Sequence, residues 1–274
     1  MKLLGVLLML FPASACFCQY FYNDIIAPQQ AQSQNRLLKN NHIKQVTATS
    51  FESDNTQDAN FKIEQEVLNN ADVITTQSTD AAGVKTFTKS TFSNSKINRT
   101  VDSNANVVTS VSYKYDNGGK LLNIFSVTND AFMSSHSEEQ HQWFYNGDKP
   151  AYMLRIKDVK DTTRIDFVYD EKGNIGEEKW IRKNYTLEHW YYYYDDAARL
   201  TDIVRYNAKA KKMLPDFLFE YDATGKLVQT TQVPAGISNY LVWKYAFDER
   251  GLKTSETCFN KQKQVVGKIL YTYQ

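Results

Sequence analysis

Cysteine is nearly absent from the body of this 274-residue chain: two of its three cysteines stand at positions 16 and 18, and only Cys258 lies further on. No internal disulfide framework can therefore hold the fold together, and Cys258 reads as a small buried side chain. Proline and glycine are also few, at 5 and 11, which excludes collagen-like and Pro/Gly-rich disordered classes. An excess of one charge is missing as well. The first 18 residues contain only Lys2, so the remainder carries 31 basic against 31 acidic residues, and nothing steers it toward nucleic acid. No convincing amphipathic helix is found. There is no G-x-S-x-G elbow, no P-loop and no G-x-G-x-x-G, so acyl, phosphoryl and hydride transfer lack their parts.

What is present begins with an export signal. Met1-Lys2, the apolar run Leu3 to Phe11 and then Ala13-Ser14-Ala15 supply the charged, apolar and small-residue regions of a signal peptide spanning residues 1–18. The apolar stretch falls well short of the ~20 residues that cross a bilayer. Cleavage after Cys18 would leave Gln19 first. Cleavage after Ala15 would leave Cys16 first, in a sequence that resembles a degenerate lipobox with Ala13 where that motif usually has Leu, which makes Cys16 a candidate lipidation site. Residues 19–36 include the polar, uncharged run Gln29 to Asn35 and read as a tether, with a folded domain over 37–274.

Aromatics make up 14% of the chain, a balance that favours strands. From Ile43 onward short alternating segments recur between turn signals, as in Phe61 to Val67, where Phe61, Ile63 and Val67 share a face. The turns repeat. Tyr113-Lys114-Tyr115-Asp116-Asn117-Gly118-Gly119 is echoed by Phe167-Val168-Tyr169-Asp170-Glu171-Lys172-Gly173 and by Phe219-Glu220-Tyr221-Asp222-Ala223-Thr224-Gly225. Tyr192 to Leu200 keeps Asp195 but has Ala198 in place of glycine, and Tyr245 to Gly251 keeps both Asp248 and Gly251. Asp opens a type I turn by accepting hydrogen bonds from the amides that follow, and Gly three residues on takes the left-handed conformation that closes the hairpin with a bulge. The spacings from Asp170 to Asp195, Asp222 and Asp248 are 25, 27 and 26, each enough for two strands and two turns. Extended back to Ile43, this predicts about 16 to 20 strands in an all-β antiparallel meander of hairpins, forming an open, twisted or curled repeat sheet.

These residues resemble the YD-type repeats of bacterial RHS and related wall-associated proteins, whose turn reads roughly Tyr-x-Tyr-Asp-x-x-Gly-Arg-Leu. Tyr192, Tyr194, Asp195, Arg199 and Leu200 match in one copy, and Phe219, Tyr221, Asp222, Gly225 and Leu227 in another. The resemblance covers residues 113–258 and implies a repeat architecture in an envelope setting. Long arrays of that family form shells. This chain is expected to be too short for one, and it has no recognisable toxin domain.

Candidate sites are few. His136 and His141 are five apart and so fall on opposite faces of a strand, which excludes a shared metal, and no cofactor is expected. The recurring aspartates are accounted for as turn formers. In Trp190-Tyr191-Tyr192-Tyr193-Tyr194 alternate rings face opposite ways, so Trp190, Tyr191 and Tyr193 are the candidate platform for a glycan or an envelope protein. From Ile175 to Arg182 both alternations carry charge, which argues against a membrane-spanning barrel. The expectation is an exported, non-catalytic binding or adhesion scaffold, periplasmic, attached to the outer membrane or extracellular. A structural spacer, or a carbohydrate-active enzyme with an Asp/Glu pair that meets only in space, is the alternative.

Overall fold

Alternating segments closed by Asp-Gly turns leave each stretch of chain one partner before it and one after it. The computed structural model describes residues 20–80, 82–208, 210–234 and 239–274. The leader, Cys16 and the turn residues Ala235 and Gly236 lie outside the described residues. Helix α1 (Asn23–Asn40) leads into β1 (Gln45–Glu52), β2 (Gln57–Leu68), β3 (Val73–Thr79), β4 (Lys85–Ser93), β5 (Lys96–Ser103) and β6 (Val107–Tyr115). The chain continues through β7 (Leu121–Asp130), β8 (Ser135–Asn146), β9 (Lys149–Lys157), β10 (Asp161–Tyr169), β11 (Ile175–Arg182) and β12 (Tyr185–Tyr194). It ends with β13 (Leu200–Asn207), β14 (Lys212–Tyr221), β15 (Leu227–Gln232), β16 (Leu241–Phe247), β17 (Lys253–Phe259) and β18 (Val265–Tyr273).

Every strand pairs antiparallel with its sequence neighbours, and β1 pairs with β18 as well as with β2. The expected open sheet is therefore wrong: the 18 strands close into an up-and-down barrel. The seam runs from Val46 opposite Tyr273 to Glu52 opposite Gly267, and the Gln274 amide donates to the Gln45 carbonyl at 2.9 Å. Closure removes two edges that would otherwise expose unpaired backbone groups. No single repeat records it, because a hairpin is satisfied by its neighbours whether the array ends or closes. At ~4.8 Å per strand the wall measures roughly 85 Å around, so the chain is long enough for a closed shell after all.

The stretch expected to be a tether is also different. Residues 23–40 form α1, preceded by the buried Phe21, so folded chain is already present ahead of Leu37. Its scattered apolar residues and Pro28 hide the helix from a periodicity search. What holds it is the barrel. Leu38 packs with Ile97 of β5 and Leu252 at one end, while Phe21 packs among Trp143, Trp190 and Tyr192 at the other. Asn35 is buried and donates to the Ala71 carbonyl at 2.5 Å. The N-terminal segment thus lies inside the barrel, between two apolar clusters that belong to different arcs of the wall.

Period two sorts the side chains of each strand. Ile165 and Phe167 of β10 point in and are buried, while Arg164 and Asp166 point out. Ile63, Gln65 and Val67 of β2 are buried, and Lys62, Glu64 and Glu66 alternate with them on the outer face. On both of these strands the apolar side chains face inward and the charged ones outward.

Candidate functional site

The even-to-odd connections gather at one rim, and here the repeated turns show their chemistry. In all five, the amide three residues after the Asp donates to its carbonyl: Gly119 to Asp116, Gly173 to Asp170, Ala198 to Asp195, Gly225 to Asp222 and Gly251 to Asp248, at 2.9–3.1 Å. The donors all have positive φ, from 58° at Ala198 to 88° at Gly119. Each Asp Oδ1 also accepts from the amide four residues on, as from Lys226 to Asp222 at 2.9 Å. The aspartates are therefore consumed by the backbone. Asn260 and Lys263 build the same turn at the opposite rim, with Lys263 at φ 62° and Gln264 N donating to Asn260 Oδ1. The sequence marks Asn260 to Lys263 as a turn, but Asn and Lys in place of Asp and Gly hide that it is of the same type.

The tyrosine before the Asp has a second role. Tyr169 donates its hydroxyl to the Pro150 carbonyl, Tyr194 to Ile175 and Tyr221 to Leu200, at 2.7–2.9 Å, and Tyr273, which precedes Gln274, makes the same bond to Lys253 at 2.8 Å. Every such bond ties one hairpin to the hairpin before it. Basic residues of the turns stack over the ring that follows: Lys149 lies 4.9 Å from the Tyr169 ring centre, Arg199 4.9 Å from Tyr221 and Lys226 4.6 Å from Phe247. Under α1, this rim holds a cleft of about 460 Å³ lined by Tyr115, Tyr145, Tyr169, Lys96, Lys120 and Lys149, among others. Two carboxylates border it. Asp148 pairs with Lys120 at 2.7 Å, and Asp24 turns inward.

The densest polar group in the interior anchors the N-terminal segment. Glu178 of β11 is fully buried and accepts four hydrogen bonds: from the amides of Phe21 and Tyr22 at 2.8 Å, from Trp180 Nε1 at 2.5 Å and from the Tyr192 hydroxyl at 2.7 Å. Burial raises its pKa in spite of those donors. Beside it, His141 of β8 meets Asp24 Oδ2 through Nδ1 at 2.6 Å and Glu139 Oε1 through Nε2 at 2.9 Å. Burial pushes the imidazole down, but the two carboxylates outweigh burial and hold it at about 9. Burial pushes Glu139 up, and His141 with Arg155 pulls it down to about 2. His141 is thus a cation locked between acids. His136 lies on the outer face of the same strand, half exposed. Among the described residues no cluster of His, Cys, Asp and Glu could hold a metal. Cys258 is buried, and burial pushes its thiol up to about 12.

The aromatic block divides between the two faces of β12. Trp190 and Tyr192 are buried inside, so Trp190 is not part of any outer platform. Tyr191 and Tyr193 face outward, Tyr193 with 53% of its surface exposed, and Tyr206 of β13 is 57% exposed. His189 stacks on Tyr191 with ring centres 4.2 Å apart. Its Nδ1 meets the Tyr191 hydroxyl at 3.0 Å and its Nε2 meets Glu177 at 2.9 Å.

No family model matches the chain, and no curated protein matches it. Among solved structures it is similar to a porin-like protein from Bacteroides uniformis, at 9% identity and a TM-score of 0.38, over 85% of this chain and 98% of that one. It is also similar to a chain of the TcdB2–TccC3–Cdc42 complex, at 11% identity and a TM-score of 0.31, over 86% of this chain and 17% of that one.

Proposed function

We propose that this chain is an exported, non-catalytic envelope protein whose plugged barrel is a rigid scaffold and whose outer aromatic strip binds a glycan. The observation that carries the reading is the outward face of β12. Tyr191 and Tyr193 offer rings of the kind on which a sugar can stack, and His189 and Glu177 supply polar neighbours. The interior supports it too. With α1 and an aromatic core inside the wall, ligand contacts fall to the outer surface and the rims. Charged outer strands such as Lys62 to Glu66 suit a barrel that faces water, and the Asp-Gly turns and tyrosine bonds suit a YD-type repeat array. Export rests on the leader sequence, and Cys16 would add a lipid anchor if it becomes the first residue. The test is a glycan array probed with the wild type and with Tyr191→Ala/Tyr193→Ala. Loss of two stacked rings is expected to weaken binding about 5- to 150-fold, since such contacts contribute about 0.5–1.5 kcal/mol each. Undiminished binding by the double variant would remove the strip from the reading.

A further inference from the structure

We propose that the rim opposite the Asp-Gly turns docks on an anionic membrane surface. Odd-to-even connections form this rim, and four consecutive ones lie between β7 and β8, β9 and β10, β11 and β12, and β13 and β14. The first three carry large apolar side chains into solvent at or beside the turn: Phe132 is 83% exposed, Met133 72%, Val159 80% and Tyr185 76%. Met213, the second residue of the strand after the fourth, is 41% exposed. Neighbouring connections are two strands apart, ~10 Å, so the fringe covers roughly 30 Å of rim. Single exposed apolar residues are ordinary on any surface, whereas a contiguous row of them marks an interaction site.

Val159 carries a second, independent sign. It has φ 65° and follows Asp158 at φ 47°, so a β-branched residue occupies a left-handed turn position where glycine or asparagine is at ease. Both its backbone and its exposure are unfavourable in water, and local strain of this kind is characteristic of functional positions. The tips are also held in place. Asp130 Oδ1 accepts from the amides of Phe132 and Met133, both at 2.9 Å, and Asp158 Oδ1 accepts from the Glu138 amide at 2.9 Å.

Charge selects the partner. The same four connections and the strand ends beside them present six described bases, Lys157, Lys160, Arg182, Lys183, Lys211 and Lys212, against three acids, Asp130, Asp158 and Asp161. That excess of three stands out in a chain whose whole net charge is +1. One acid is already engaged, Asp161 by Arg182 at 2.5 Å. Apolar tips interleaved with lysines suit a headgroup layer, in which the apolar parts enter the acyl boundary and the ammonium groups meet phosphate. This rim is separate from Tyr191 and Tyr193, so the glycan reading and the membrane reading can fail independently.

The test is sedimentation of the purified protein with vesicles of phosphatidylcholine alone and of phosphatidylcholine with about one third phosphatidylglycerol. Binding to the anionic vesicles only, weakening as salt is raised, is expected. Lys183→Glu/Lys211→Glu/Lys212→Glu should weaken it about 100-fold, at roughly one lysine per factor of five. Val159→Gly relieves the left-handed strain, so it folds at least as well as the wild type, and should weaken binding roughly tenfold. Failure of the wild type to sediment with anionic vesicles at low salt would overturn the proposal. Equal binding by the wild type and both variants would overturn it too, as would retention on a neutral polysaccharide that Val159→Gly abolishes.

Discussion

Replacing Glu178 by Gln is the sharpest way to ask what holds the N-terminal segment inside the barrel. The carboxylate faces four donors, two on each oxygen: Phe21 N and Trp180 Nε1 on Oε1, Tyr22 N and the Tyr192 hydroxyl on Oε2. An amide nitrogen in place of Oε1 would face two N–H groups that cannot turn away. In place of Oε2 it meets the Tyr192 hydroxyl, which can rotate to accept, and leaves only the Tyr22 amide without a partner. Gln therefore takes the second arrangement. An orphaned buried donor costs about 1–3 kcal/mol, and the lost charge adds to it because hydrogen bonds to ions are worth about 1.5–3 kcal/mol. The cost of burying the carboxylate, visible in its raised pKa, offsets part of that sum. A net loss of about 2–3 kcal/mol is expected, or a fall in melting temperature of roughly 5–10 °C for a domain of this size. Limited proteolysis should show cleavage within residues 20–40 before any in the wall. An unchanged melting temperature, or wall cleavage that comes first, would refute the claim that Glu178 anchors the plug.

Two further outcomes follow from the interior and the turns. The His141 value of about 9 stands above the 6.5 of an unfolded histidine, so its contribution is complete below about pH 6.5 and is lost as pH rises through 9. The gap corresponds to about 3 kcal/mol, and urea midpoints at pH 6 and pH 10 should differ in the wild type by much more than in His141→Gln. Ala198→Gly should stabilise the protein by about 1 kcal/mol, because Ala198 holds φ 58° at the position its sister turns give to glycine; a lower melting temperature would contradict the turn geometry.

The repeat was legible in sequence because its parts are local. Asp, the aromatic before it and the Gly after it lie within a few residues, and each acts on the backbone beside it. The alternation of Tyr191 and Tyr193 against Tyr192 and Tyr194 was readable for the same reason. Closure was not, since it depends on β1 meeting β18 some 220 residues away, a contact that no local pattern records. Helix α1 was hidden for a different cause. Its polar residues suggest solvent, yet Asn35 and Asp24 are buried because the wall supplies Ala71 and His141 as partners. Glu178 was seen only as one charge among several in β11. Period two placed it opposite Glu177 and Lys179, but not its four donors, two of which come from a segment more than 150 residues earlier.

Helix α1 also sets a scale. Eighteen residues at 1.5 Å each make a rod of about 27 Å, whose two ends dock on different arcs of the wall, Phe21 at Glu178 and Leu38 at Leu252. Adding one hairpin would lengthen the perimeter by about 10 Å and leave the rod unchanged. A round wall would then be about 3 Å wider, so the helix could keep the full packing of both ends only if the wall flattened. A repeat array grows readily by duplicating hairpins, whereas the internal helix keeps its length, so the packing of both its ends favours one width of wall.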